Sequence, residues 1–149
     1  MKNLASAVVA AILLIAEARG EKKLKFASLP ATVQAAVREQ TKDSVVRGIS
    51  TETENGKVTF EIETTRNGKS RDLEFDKTGA LLETEDEVDL DSLPYPAKAA
   101  LQKRSAGGSI KKVEKLTAGA SISYEANIRT KEGRTIEVGV NPDGTPHKE

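Results

Sequence analysis

The sequence predicts an α+β protein made of two tandem repeats. Each repeat is a short helix followed by an antiparallel meander of three or four strands, with the helices packed on one sheet face. Two observations predict this class. Ser28-Leu29-Pro30 recurs as Ser92-Leu93-Pro94, and the apolar positions after each copy match at a nearly constant spacing. In both copies the apolar pattern then changes from a helical period to a period of two. We therefore assign residues 28–88 to repeat 1 and residues 89–149 to repeat 2, after an N-terminal segment at 19–27.

The first 18 residues have the form of a secretory signal peptide. Lys2 precedes an apolar run from Leu4 to Ala16 that is too short to span a bilayer, and Ala16 and Ala18 have the spacing of a cleavage site. We predict cleavage after Ala18, which leaves a periplasmic or secreted protein without a membrane segment. An uncleaved anchor or a buried N-terminal helix is the alternative.

One helix is expected in each repeat, over residues 30–41 and 94–105. Proline is tolerated in the first turn of a helix, and Pro30 stands at that position. Val33, Ala36 and Val37 then fall on one helical face, and alanine and leucine repeat this stripe in the second copy. These small side chains favour close packing of the helix on a sheet.

Strands follow each helix, with turns of the chemistry that hairpins require. Val58, Phe60 and Ile62 alternate with polar residues, and Ile122 and Tyr124 do the same in the second copy. The Asn-Gly pairs at 55–56 and 67–68 predict two-residue type I′ turns. A unit of about 60 residues is marginal alone, so we expect the two copies to share one sheet or one interface.

Composition excludes several classes of function. The chain has 23 basic and 23 acidic residues, so it lacks the positive charge that nucleic acid or an anionic membrane surface attracts. It has no cysteine and one histidine, which removes most zinc sites and nucleophile–base pairs. We expect no catalytic residue, no metal site and no cofactor, and therefore no enzyme, although a hydrolase with paired carboxylates stays formally open.

The Asn67-Gly68 turn predicts an acidic face on repeat 1. Its register sets apolar side chains opposite each other on one face, and Glu63 opposite Asp72 and Glu61 opposite Glu74 on the other. Like charges in such positions repel. The equivalent positions of repeat 2 are less acidic, so we expect the patch in repeat 1 only. The candidate partner-binding residues are Glu61, Glu63, Asp72, Glu74, Ser123, Glu125 and Arg129.

Three interpretations of this face are open. It is a solvated surface on which salt screens the repulsion, a docking face for a basic partner segment, or a weak cation site. A second acidic run joins the repeats and consists of Glu83, Glu85, Asp86, Glu87, Asp89 and Asp91. It lacks the spacing of an EF-hand loop and is typical of a solvated strand and linker.

The repeated Ser-Leu-Pro, the alanine-rich helix and the closing Phe75-Asp76-Lys77-Thr78-Gly79 resemble the PepSY-like family, in its β-lactamase-inhibitor-protein-like branch. The resemblance covers about residues 26–149 and includes two tandem copies. It implies an exported module with a helix-covered antiparallel sheet and no catalytic residues, and some members inhibit peptidases or β-lactamases through the open sheet face. We therefore expect a non-enzymatic, inhibitor-like binding module for a protein or peptide partner. The alternative is an envelope sensor or weak cation-binding protein that uses the acidic run.

Overall fold

A computed structural model of the chain describes residues 22–54 and 56–147. The predicted signal peptide and its cleavage site lie outside the described residues. The helices are α1 (Ala31–Gln40) and α2 (Tyr95–Arg104), each preceded by a short 3-10 turn, Phe26–Ser28 and Leu90–Ser92. The strands are β1 (Lys22–Lys23), β2 (Val45–Glu54), β3 (Lys57–Arg66), β4 (Lys69–Asp76), β5 (Leu81–Glu87), β6 (Ser109–Ala118), β7 (Ser121–Arg129) and β8 (Thr135–Val140). In the described part of the chain, no helix is long and apolar enough to cross a membrane.

The predicted fold class, two tandem helix-plus-meander repeats, is wrong. The described strands form one eight-stranded antiparallel sheet in the order β1 to β8, with two helices. Strand β5 pairs with β6 across the predicted repeat boundary, and Glu87 lies opposite Glu114. The physical reason is that a separate meander would leave two strand edges with unpaired N–H and C=O groups, which pairing satisfies. The repeat pattern describes strands within a copy and says nothing about that junction.

Each helix packs its small apolar face on its own half of the sheet. Val33 and Val37 of α1 are buried, and Ala97 and Leu101 of α2 occupy the same places in the second half. The turn after β4 passes directly under the first turn of α1. A Cβ atom on Gly79, whose φ is +86°, would lie 2.7 Å from a backbone carbonyl oxygen of that turn. Only glycine fits there without strain.

The apolar core is divided into two clusters on the helix side of the sheet. The first contains Leu29, Val33, Val37, Phe60, Ile62, Leu73 and Phe75; the second contains Leu93, Ala97, Leu101, Val113, Tyr124, Ala126, Ile128 and Val140. Among the described residues, neither cluster includes a buried side chain from β5. On the helix side β5 instead carries Asp86, whose Oδ1 lies 3.3 Å from Arg71 Nε and 3.4 Å from Arg66 Nη2. Strand β5 therefore carries polar side chains between the two apolar clusters.

Candidate partner-binding face

The register predicted for the β3–β4 hairpin is confirmed. Asn67 and Gly68 both have positive φ, 53° and 80°, as a type I′ turn requires. Glu61 lies opposite Glu74, and Glu63 lies opposite Asp72. Their apolar neighbours along each strand point into the core, so these four carboxylates lie on the face opposite the helices.

The neighbouring strand β2 pairs with β3 beside these carboxylates. Ser50 lies opposite Glu61, and its hydroxyl donates a hydrogen bond of 3.2 Å to Glu61 Oε2. Gly48 lies opposite Glu63, and a Cβ atom on Gly48 would come within 2.7 Å of Glu63 Oε2. Glycine at 48 therefore makes room for the Glu63 side chain on this face.

The expectation that the acidic patch is confined to repeat 1 is wrong. Strand pairing continues the patch through Glu85, opposite Asp72, and through Glu114, which lies opposite both Glu87 and Glu125. The sequence did not predict this because the β5–β6 pairing is not visible in the repeat. We call the resulting surface the acidic face and define it by Glu61, Glu63, Asp72, Glu74, Glu83, Glu85, Glu114 and Glu125.

Three carboxylates meet at the centre of the acidic face. Asp72, Glu85 and Glu114 each have an oxygen within 4.8 Å of an oxygen of the other two. Oxygens at that spacing can surround a cation, and a cation of the chain itself lies beside them, because Lys112 Nζ is 2.6 Å from Glu114 Oε1. Leu116 lies opposite Glu85 on β6 and is only 3% exposed, so an apolar side chain shields one flank of the group.

Burial and like charge act most strongly on Glu85. Burial, together with the charges of Glu114, Glu83 and Asp72, raises the pKa of Glu85 from 4.5 to about 8. Among the described residues, no hydrogen-bond donor reaches its side chain to oppose this effect. A carboxyl group in this position favours its neutral form at pH 7.

In the neighbouring groups, hydrogen bonds and nearby charges oppose the pKa shift that burial causes. Burial raises the pKa of Asp72, and a 3.3 Å hydrogen bond from the Thr64 N–H lowers it in part. Burial likewise raises the pKa of Glu61, against the hydrogen bond from Ser50. Burial lowers the pKa of Lys112, but its hydrogen bond with Glu114 and the charges of Glu114, Asp72 and Glu87 together outweigh burial, so the net shift is upward.

The candidate residues of repeat 2 have different positions. Glu125 is 9% exposed and belongs to the acidic face opposite Glu114. Ser123 is buried beside Leu116. Arg129 lies exposed at the end of β7, where Nη1 donates a 3.4 Å hydrogen bond to Thr135 Oγ1. The structure thus brings Glu125 together with the carboxylates of repeat 1 and leaves Arg129 at the margin.

The acidic run between the repeats does not assemble into one site. Asp86 faces the helix side and pairs with two arginines. Asp89 lies 2.9 Å from Lys69 Nζ, and Asp91 lies 2.6 Å from Lys98 Nζ. Glu87 accepts a 3.0 Å hydrogen bond from the Ser70 N–H. Glu83, Glu85 and Glu87 lie on the open side of β5, and of these three Glu83 and Glu85 are counted in the acidic face because Glu87 is held by this backbone donor.

Sequence reasoning missed Lys112, Glu85 and Glu114 as residues of the site. The available signal was weak: Lys112 and Glu114 flank Val113 on β6, which places them on the sheet face opposite that apolar side chain. Their proximity to Asp72 depends on the pairing of β5 with β6, for which no local turn supplies a register.

Comparison with known proteins identifies the fold. No family model and no curated protein matches the chain. Solved structures do match: a candidate periplasmic protein from Bacteroides eggerthii has a TM-score of 0.66 at 14% identity, over 80% of this chain and 86% of that one. A DUF2874 family protein from Bacteroides ovatus has a TM-score of 0.62 at 16% identity, over 81% of this chain and 86% of that one. A BLIP-like protein from Bacteroides fragilis has a TM-score of 0.58 at 17% identity, over 81% of this chain and 84% of that one. The chain therefore has a BLIP-like fold. Membership of the PepSY-like family, and the assignment of one copy of that family's domain to each half of the chain, stay predictions.

Proposed function

We propose that the chain is a non-enzymatic periplasmic binding module whose acidic face engages a basic segment of a protein partner. The concentration of carboxylates on this face, in a chain of zero formal net charge, carries the proposal. Both helices pack on the opposite side, so the described helices leave the acidic face uncovered.

Charge complementarity supports a basic partner. Facing pairs such as Glu61–Glu74 and Glu63–Asp72 each cost up to about 1 kcal/mol in the free protein. Lysine or arginine side chains of a partner would offset that repulsion and would steer the encounter at low salt. An enzyme function has less support, because the chain has no cysteine and one histidine.

The proposed function also includes export and an inhibitor-like role. The form of the N-terminus and the description of the Bacteroides eggerthii structure as a candidate periplasmic protein support export. The BLIP-like fold supports an inhibitor-like use of the open sheet face. Weak cation binding through the acidic run stays an alternative prediction, although most of that run is paired with basic groups or backbone donors.

The test compares two double variants of equal charge. Glu61→Gln with Asp72→Asn removes two charges from the acidic face. Glu39→Gln with Asp91→Asn removes two charges at exposed positions, one on α1 and one in the 3-10 turn before α2, each paired with a lysine. We expect mature protein to capture a partner from the envelope fraction of its source in a salt-sensitive manner, the first variant to lose it, and the control to keep it. Equal capture by both variants would refute a role for the acidic face.

A further inference from the structure

The central carboxylates of the acidic face carry an inference about how docking is regulated, which rests on the function proposed above. We propose that Glu85, held between Asp72 and Glu114, keeps its proton at neutral pH, and that a basic segment displaces this proton when it docks. Binding to the acidic face therefore strengthens as the pH rises from 6.5 to 8.5.

The geometry singles out Glu85 within the group. The Lys112 ammonium forms an ion pair with Glu114 at 2.6 Å, and the Thr64 N–H donates a hydrogen bond to Asp72. Glu85 is the member of the three that no described donor or basic group contacts. The buried Leu116 beside it limits access of water, which would otherwise stabilise a third negative charge.

The charges that surround Glu85 also favour its neutral form. The titratable and charged groups that face Glu85 from the open sides of β3 to β7 are Glu61, Glu63, Asp72, Glu74, Glu83, Glu87, Lys112, Glu114 and Glu125. One of them is basic, and it is already paired. Burial and these like charges raise the pKa of Glu85 to about 8, so the neutral form predominates at pH 7.

Docking reverses this balance by supplying a cation. A lysine ammonium has an ordinary pKa of about 10.4 and stays charged through this range. Placed against the three carboxylates, it favours ionised Glu85, and the proton passes to the buffer. The apparent Kd then equals the intrinsic Kd divided by the ionised fraction of Glu85 in the free protein.

The first measurement needs no partner. Carboxyl carbon shifts of 13C-labelled protein are followed by NMR from pH 4 to pH 10, and the Glu85 resonance is identified by its absence in Glu85→Gln. We expect this resonance to titrate near pH 8. Titration close to pH 4.5 would overturn the proposal, whether or not any ligand binds.

The second measurement uses a hexalysine peptide as the probe, at constant low salt and at pH 6.5 and 8.5. For a midpoint near 8 the ionised fraction rises about 25-fold over this interval, so we expect the peptide to bind about 25-fold more tightly at pH 8.5. Glu85→Gln should bind with no such dependence. His147, which lies near Glu125 at the edge of this face, is replaced by glutamine in both proteins, so that neither protein contains a histidine.

The outcomes separate the two proposals. Equal binding of the peptide at both pH values would overturn proton displacement and leave the docking face intact. No binding at either pH would overturn docking of basic segments on this face, and the displacement step with it. A pH dependence of the expected size that persists in Glu85→Gln would assign the proton to another group and refute the role of Glu85.

Discussion

Replacing Glu85 with glutamine should stabilise the protein at alkaline pH. The folded state holds this carboxyl with a pKa of about 8, against 4.5 for the free group. Between these values the unfolded chain has lost the proton and the folded chain still binds it, so the free energy of unfolding falls as the pH rises. Above pH 8 Glu85 is ionised in both states, and the full free-energy cost of holding its charge in the folded protein remains. Below pH 4.5 Glu85 is protonated in both states, and this cost vanishes. Glutamine removes the cost because it carries no charge.

The magnitude follows from the same two values. At about 1.36 kcal/mol per tenfold change in ionisation, a rise from 4.5 to about 8 corresponds formally to about 5 kcal/mol. Water reaches part of the Glu85 side chain, and its solvent screening reduces the effect. We therefore expect a gain of about 3–5 kcal/mol for Glu85→Gln at pH 8.5, which corresponds to a titration midpoint between about 7 and 8, and close to none at pH 4.5.

Urea denaturation followed by circular dichroism at pH 4.5, 6, 7.5 and 9 measures this directly. The difference between wild type and Glu85→Gln should grow from pH 4.5 to pH 8 and then stay constant. Glu39→Gln, an exposed position on α1, is the control and should show a small difference that does not grow in this way. A constant difference between wild type and Glu85→Gln at all four pH values would refute the assignment of a retained proton to Glu85.

Three further predictions follow. Glu61→Gln with Asp72→Asn should raise the free energy of unfolding by about 0.5–1 kcal/mol at pH 7, because it relieves repulsion between facing carboxylates; a lower free energy would contradict this. Gly79→Ala should lower it by about 2–3 kcal/mol, because its Cβ would meet the backbone of α1 at 2.7 Å. Gly56→Ala is the control, since it has a similar φ but no atom within 4 Å, and should cost about 1 kcal/mol. Intact-mass measurement of exported protein should give a chain beginning at Arg19, and an envelope species that retains Met1 would contradict signal cleavage.

Local turns made much of the sheet predictable. The Asn67-Gly68 turn determines which residues of β3 and β4 face each other, and the observed register agrees with the prediction. The helices also begin and end within a residue or two of their predicted bounds, since proline at the start and the apolar stripe are local signals.

The junction of the two halves was not predictable in this way. Strands β5 and β6 are connected through α2 rather than through a short turn, so no turn residue determines their register. The central group of the site depends on that register, because Glu85 and Glu114 come from opposite sides of the junction. Charge pattern alone placed Glu85 in a solvated strand and linker, whereas the structure places it beside a buried leucine.

The two sides of β5 differ in how their charge is compensated, and this difference favours an external cation. On the helix side, Asp86 pairs with Arg66 and Arg71, which the fold itself supplies. On the open side, Glu85 meets further carboxylates, and the Lys112 ammonium is already held by Glu114. A protein under selection for stability alone gains by placing a lysine or an apolar residue there. Under the function proposed above, a basic ligand supplies the missing positive charge beside Glu85, and a proton occupies its place until the ligand arrives.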